Sequence, residues 1–193
     1  MIASEVIEVT LTVCRHLDAL DVLYVIGGSM ASSAHGVVRS TNNIDIVAVI
    51  EVEQADGVVE CFKEEFYLDP ESIKEAIRSK RSFNLIHLKS LFKVDVFVPA
   101  GDPLSQSQIQ HRIQLILPGA DDVSLPILSP EDVILQKLRW FDLGDRVSER
   151  QWADILGVLE TQQVANLDVD FLREMADQAG LQDLLEKALD EVG

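Results

Sequence analysis

Hydrophobic and polar positions over the first half of the chain follow two different periods. Apolar residues spaced three and four apart, with polar residues between them, predict amphipathic helices. Short apolar runs bounded by glycine, proline and polar residues predict buried strands. Helices are predicted at 4–20, 29–36, 54–66 and 70–81, and strands at 22–28, 44–50, 82–88 and 91–99. The last two strands are close enough in sequence to pair as a hairpin.

The second half of the chain changes character. The polar stretch GDPLSQSQIQ (101–110) predicts a loop. A serine, a proline and two acids from Ser129 onward are a strong helix start, and helical spacing then continues to the end, with Gly180 closing one helix. The sequence therefore predicts an α+β fold. A small mixed sheet flanked by helices forms a domain at 1–128, and a helical region at 129–193 packs on it.

Composition narrows the class of protein. The chain has 193 residues, 47% hydrophobic and 25% charged, as in an ordinary globular domain. No apolar run approaches the roughly 20 residues that span a bilayer, and the first residues do not resemble a signal peptide. We therefore expect a cytoplasmic protein with no membrane association. A net charge of −17 argues against non-specific DNA binding.

Residues 70–94 are basic, unlike the rest of the acidic chain, so a local basic patch that faces an anionic ligand is one interpretation. Its basic residues are Lys74, Arg78, Lys80, Arg81, Lys89 and Lys93. A solvated helix face is the alternative for any single one of them.

Polar side chains on two predicted strands suggest a metal site. Asn43 and Asp45 lie two positions apart on one strand, so their side chains point to the same face. Asp95 lies among apolar residues on a later strand, where a carboxylate needs a partner. Mg²⁺ is a natural partner, because it takes oxygen ligands from one or two carboxylates and from substrate phosphates.

A phosphate site is predicted beside these acids. Gly27, Gly28 and Ser29 end the first predicted strand, where glycine lets the backbone come close to a ligand. The helix that follows offers N–H groups at its N-terminus, with Ser29 as its predicted N-cap. An ordinary turn would explain the glycines alone, and capping by neighbouring residues would explain Asp45 or Asp95 alone. The order of these motifs along the chain favours a nucleotide site.

The motifs GGS, RSTNNIDI and VDVF resemble the nucleotidyltransferase superfamily with the DNA polymerase β-like fold. The run GGSMASSAHGVVRSTNNIDIV looks most like the bacterial minimal nucleotidyltransferases, including those of abortive-infection and toxin–antitoxin systems. The resemblance covers residues 22–98 and, more loosely, 129–159.

The resemblance implies a role for each matching residue. Gly28 and Ser29, with Gly27 before them, would hold the nucleoside triphosphate. Asp45 matches the second acid of an Asp-x-Asp metal pair, and Asp95 matches the third acid, which activates the attacking hydroxyl.

Three more matches lie outside the acids and the glycine turn. Arg39 and Thr41 match an arginine and a threonine that precede the metal strand. Lys137 matches a lysine that reaches the phosphates.

Asn43 departs from the family pattern, because it stands where the first metal-binding acid is expected. An amide oxygen binds Mg²⁺ but carries no negative charge. Loss of such a contributor commonly costs about 10²–10³ in rate. The resemblance therefore implies weak or absent transfer with a surviving nucleotide pocket.

The leading hypothesis is Mg²⁺-dependent transfer of a nucleoside monophosphate from an NTP to a hydroxyl on a small molecule, a protein or RNA. The alternative is a non-catalytic nucleotide-binding protein, or a toxin–antitoxin-type protein whose partner uses the acidic helices. A fold that serves only assembly is the third reading.

Overall fold

A computed structural model describes residues 2–38, 40–116 and 123–193. Within these ranges the chain forms seven strands and nine α-helices. The strands are β1 (Leu23–Ile26), β2 (Asn43–Val49), β3 (Phe66–Tyr67), β4 (Ser82–His87), β5 (Lys93–Phe97), β6 (Ile113–Ile116) and β7 (Ser124–Ile127). The helices are α1 (Ile2–Ala19), α2 (Gly28–His35), α3 (Ala55–Phe62), α4 (Pro70–Arg78), α5 (Pro103–Gln110), α6 (Pro130–Leu143), α7 (Glu149–Gln162), α8 (Val169–Ala179) and α9 (Gln182–Val192).

The strands form one mixed sheet in the order β3-β4-β5-β2-β1-β7-β6. The pairs β2–β5 and β1–β7 are parallel, and the other neighbours are antiparallel. The predicted hairpin of β4 and β5 is confirmed, as is the α+β class. β2 and β5 are parallel neighbours at the centre of the sheet, which places Asp45 and Asp95 side by side.

The two faces of β2 differ because side chains alternate along a strand. Ile44, Ile46 and Ala48 point to one face and are fully buried in the core. Asn43 and Asp45 point to the other face and are only partly buried. The apolar positions therefore fix the register, and the register sends the polar side chains to the face where a ligand can reach them.

The C-terminal helices lie beside this polar face. Ser129 caps the N-terminus of α6, where its side chain accepts a hydrogen bond from the Asp132 N–H. α6 packs against both α2 and α7. Every strand in the described ranges precedes residue 128. The division into domains at 1–128 and 129–193 stays a prediction. No helix among the described residues is long and apolar enough to cross a membrane.

Three local predictions were wrong. The expected loop at 101–110 contains α5, because the Asp102 side chain caps the helix and Pro103 opens it. The N-cap of α2 is Gly27, not Ser29, which lies inside the first turn. The helix expected at 54–66 ends at Phe62, and the short edge strand β3 follows.

Candidate functional site

The two predicted acids meet across neighbouring strands. β2 and β5 run parallel with Asn43 opposite Lys93 and Asp45 opposite Asp95. The Asn43 Nδ2 group donates to Asp45 Oδ1 at 3.1 Å and to Asp95 Oδ2 at 2.5 Å. The structure thus brings all three side chains together around one point.

The paired-glycine turn closes over this group. Gly27 N donates to the Asp45 backbone carbonyl at 2.9 Å, which ties the turn to β2. Gly28 has φ +56°, and a Cβ at this position would overlap the Asp45 carboxylate. Only glycine combines this backbone conformation with so close an approach. The turn therefore places the start of α2 directly beside the carboxylates.

The first N–H groups of α2 already have partners within the chain. Gly28 N donates to Gln136 Oε1 on α6 at 3.0 Å, and the Ser29 N–H donates to the Asp45 carboxylate. The start of this helix therefore supports Asp45, and its contact with phosphates stays a prediction.

Thr41 holds the start of β2. Its hydroxyl donates to the Asn43 carbonyl at 2.9 Å and accepts from the Asn43 N–H at 3.2 Å. The structure thus connects Thr41 to the site through the backbone of Asn43. Arg39, the other residue predicted just before this strand, lies outside the described residues.

Lys137 is buried between helices. Its ammonium lies 2.8 Å from Asp154 on α7, and these side chains are only 4% and 9% exposed. Its positive charge lowers the pKa of Asp45. This position fits electrostatic support of Asp45, and contact with phosphates stays a prediction.

Sequence reasoning missed Gln136, Asp154 and Arg150. The Arg150 guanidinium is exposed and lies 3.4 Å from Ser29 Oγ, so it adds a positive charge at the glycine turn. Gln136 and Arg150 contact the turn from more than a hundred positions away, and no local pattern indicated these contacts. The helix-start signal at Ser148 predicts only that Arg150 lies in a first turn.

Burial has the largest effect on the pKa of the Asp45 carboxyl. It raises the pKa of the carboxyl, and the neighbouring charge of Asp95 raises it further, whereas Lys137, the Ser29 N–H and Lys93 oppose the rise. Lys93 also forms an ion pair with Asp95 Oδ1 at 2.7 Å. The positive charges of Lys93 and Lys137 thus act on the pKa of Asp45 against its burial and the charge of Asp95.

The residues fit one divalent ion. Among the described residues, no three His, Cys, Asp or Glu side chains form a metal-binding cluster. The candidate ligands are the three side chains that the structure brings together, Asp45, Asp95 and the amide of Asn43. Asn43 Oδ1 is buried without a hydrogen-bond partner among the described residues. The NH₂ group of this amide faces the two carboxylates. Rotation of the amide by 180° would exchange its nitrogen and oxygen, which have nearly the same shape, so the oxygen is a candidate third ligand. Such an oxygen set suits Mg²⁺.

No protein-family model and no curated protein matches this chain. Among solved structures, the chain is similar to the solution structure of the antibiotic-resistance factor ANT(2'')-Ia, with TM-score 0.60, 13% identity and coverage of 97% of this chain and 98% of that one. The crystal structure of ANT(2'')-Ia with adenylyl-2''-tobramycin gives TM-score 0.58, 12% identity and coverage of 93% and 98%.

An antigenic nucleotidyltransferase-like protein from Paracoccidioides brasiliensis gives TM-score 0.52, with 15% identity and 92% coverage of both chains. The chain therefore has the nucleotidyltransferase fold, and the fold that its motifs implied is confirmed. Identities this low show the fold alone.

Proposed function

We propose that this chain transfers a nucleoside monophosphate from an NTP to a hydroxyl group in a Mg²⁺-dependent reaction. The bond between the α- and β-phosphates breaks, and pyrophosphate leaves. The observation that carries the proposal is the in-register pair of Asp45 and Asp95 beside the Gly28 turn. A carboxylate pair next to the N-terminus of a helix combines a metal site with an anion site, which phosphoryl transfer requires.

Each residue has a distinct role. Asp45, Asp95 and the Asn43 amide would hold Mg²⁺, which neutralises charge on the phosphates when it is bound. Ser29 and Arg150 would contact the phosphates, with Arg39 as a further positive charge. Asp95 would accept the proton of the attacking hydroxyl, as a base positioned at the metal site.

Asn43 makes this reaction slow. Its NH₂ group donates to both carboxylates, and it adds no negative charge. We therefore expect Mg²⁺ to bind weakly and transfer to fall about 10²–10³ below that of a site with three acids. The same hydrogen bonds favour a second candidate, a protein that binds nucleotide without transfer.

A small molecule with a hydroxyl group is the preferred acceptor. Its support is the structural similarity to ANT(2'')-Ia, which was solved with adenylyl-2''-tobramycin and matches over 93% of this chain. The helices after residue 128 would shape the acceptor side.

The test uses α-labelled ATP, CTP, GTP and UTP with Mg²⁺ and a panel of hydroxylated small molecules that includes tobramycin. We expect slow transfer by the unaltered chain and a gain of about 10²–10³ in Asn43→Asp. Asp45→Ala should abolish it, whereas Asp177→Ala, at an exposed acid on α8, should not. Nucleotide binding with no transfer even in Asn43→Asp supports the second candidate. No binding in either chain rejects both.

A further inference from the structure

Lys93 is the charged neighbour of the carboxylate pair that the reaction above leaves without a role. It lies opposite Asn43 in the register of β2 and β5, and two positions before Asp95 on the same face. Its ammonium lies 2.7 Å from Asp95 Oδ1. The other Asp95 oxygen accepts from the Asn43 amide. Both oxygens of Asp95 are therefore held by donors of this chain.

We propose that Lys93 is the resident counter-ion of Asp95 and that it sets the affinity of the site for a divalent ion. A cation that reaches Asp95 must displace the ammonium, so Lys93 weakens the binding of Mg²⁺. Lys93 is a positioning residue in this role, because it acts through Asp95. The role rests on the Mg²⁺ site of the proposed function, and not on the binding of nucleotide.

The solvent exposure of Lys93 allows a divalent ion to displace its ammonium from Asp95. The Lys93 side chain is 48% exposed, whereas that of Asp95 is 14% exposed. A lysine has a flexible four-carbon stem and a strongly hydrated ammonium, so it can move into water when another cation arrives. The ammonium of Lys137, in contrast, is buried together with Asp154.

The position of Lys93 distinguishes it from other basic residues of the same segment. Lys74, Arg78 and Lys80 pair with surface acids that belong to helices or loops. Lys93 alone among these four pairs with an acid of the candidate metal site. Asn43 is neutral, so the two carboxylates of Asp45 and Asp95 and the ammonium of Lys93 give the site a net charge of −1. This charge attracts a divalent ion only weakly.

The experiment titrates the purified chain with Mn²⁺ and follows free Mn²⁺ by electron paramagnetic resonance, with and without a non-hydrolysable ATP analogue. This measurement reads binding and needs no turnover. The variants are Lys93→Met, which removes the charge, and Lys93→Arg, which keeps it. The control is Lys89→Met, an exposed lysine in the turn between β4 and β5.

We expect Lys93→Met to bind Mn²⁺ about five- to tenfold more tightly, a modest gain because water screens a half-exposed charge. Lys93→Arg and Lys89→Met should stay within about twofold of the unaltered chain on the same reasoning. Lys93→Gln, which also lacks the charge, repeats the test if Lys93→Met does not fold.

Equal or weaker Mn²⁺ binding after loss of the Lys93 charge overturns the proposal, and so does the absence of binding in every chain. The proposed transferase is tested separately, by nucleotide incorporation in Asn43→Asp with Lys93 intact. If that variant transfers and Lys93→Met binds Mn²⁺ no better, only the role of Lys93 is wrong. If Lys93→Met gains Mn²⁺ and Asn43→Asp neither binds nor transfers nucleotide, only the proposed function is wrong.

Discussion

Asp45 and Asp95 are register partners on adjacent parallel strands, and one NH₂ group donates to both carboxylates. This group belongs to Asn43, two positions before Asp45 on the same strand. An acid at position 43 would place a third negative charge against the other two, whereas the amide bridges them. The amide thus links the two carboxylates.

Asn43→Asp should make the stability of the protein depend on divalent ions. In EDTA we expect a loss of about 1–3 kcal/mol in the free energy of unfolding, because two hydrogen bonds to partly buried carboxylates are replaced by repulsion. Mg²⁺ should raise the melting temperature of this variant more than that of the unaltered chain, since a bound ion stabilises only the folded state. Thermal melts in EDTA and in Mg²⁺ measure both effects.

Asn42→Asp is the matched control, because it adds the same charge at the adjacent exposed residue. Its melting temperature should respond to Mg²⁺ as that of the unaltered chain does. An equal response in Asn42→Asp and Asn43→Asp would show that the effect is one of general charge, and the metal assignment would then be wrong.

Gly28→Ala should remove nucleotide binding and destabilise the fold. The new methyl group would overlap the Asp45 carboxylate, at a φ of +56° that alanine rarely adopts. We expect a loss of about 2–4 kcal/mol by urea denaturation.

The control for Gly28→Ala is Gly180→Ala, at a left-handed residue that ends α8 with no heavy atom among the described residues within 4 Å of its Cβ position. It should cost only about 1 kcal/mol, the conformational part, and leave nucleotide binding intact. Equal losses in the two variants would mean that contact with Asp45 contributes nothing.

At this site, arrangements of residues close in sequence were predictable, whereas contacts between residues far apart in sequence were not. Alternation along β2 indicated that Asn43 and Asp45 share a face, because the period of a strand is local. The place of Asp95 beside them depends on the pairing of β2 with β5, and only the family resemblance implied it. Alternation along β5 places Lys93 beside Asp95, so this ion pair was within reach of sequence reasoning. Contacts of Gln136 and Arg150 with the glycine turn depend on how α6 and α7 pack, which no short pattern contains.

In the fold, too, single elements were predictable from local patterns, whereas the pairing of distant strands was not. The apolar runs predicted β1, β2, β4 and β5, and the hairpin followed from their short connection. The order of the seven strands joins segments far apart in sequence and was not predictable from these patterns. α5 was missed because its polar residues conceal its helical spacing, although Asp102 and Pro103 give the same start signal as Ser129 and Pro130.

Arg150→Met should weaken binding of nucleoside triphosphate about tenfold and leave that of the nucleoside unchanged. The guanidinium lies beside Ser29, where the phosphates would bind, and charge-assisted hydrogen bonds to phosphate are strong. Isothermal titration with ATP, ADP and adenosine measures the difference. Arg173→Met, at an exposed arginine that pairs with Glu186, is the control. Equal losses for ATP and adenosine would place Arg150 away from the phosphates.

Lys137→Met should destabilise the protein by about 3 kcal/mol, because it leaves the buried Asp154 without its ammonium partner. Adding Asp154→Leu should recover most of this loss, since an apolar pair of similar volume often replaces a buried ion pair without cost. Urea denaturation of the single and double variants measures the coupling. The midpoint of Lys63→Met, at an exposed pair with Glu60, should not move. A double variant less stable than Lys137→Met would contradict the prediction.

Asp132 should make stability fall as pH rises above the ordinary carboxyl range. The residue is 1% exposed and accepts hydrogen bonds from Ser107 at 2.6 Å and Ser129 at 3.1 Å. Burial raises its pKa above the ordinary value of 3.8, against these hydrogen bonds and the nearby His111, and Glu131 adds to the rise. The folded state therefore holds this proton more tightly than the unfolded state does.

The stabilisation from protonated Asp132 is complete below pH 3.8 and is lost as pH rises through the folded pKa. Asp132→Asn removes this dependence, so its free energy of unfolding should improve relative to the unaltered chain between about pH 4 and pH 7. Urea denaturation across this range, repeated with His111→Gln in both chains, separates Asp132 from the histidine that hydrogen-bonds Ser107. Asp177→Asn, at an exposed acid, should show no such trend. A difference between Asp132→Asn and the unaltered chain that stays constant with pH would show that Asp132 has the same proton affinity in the folded and unfolded states.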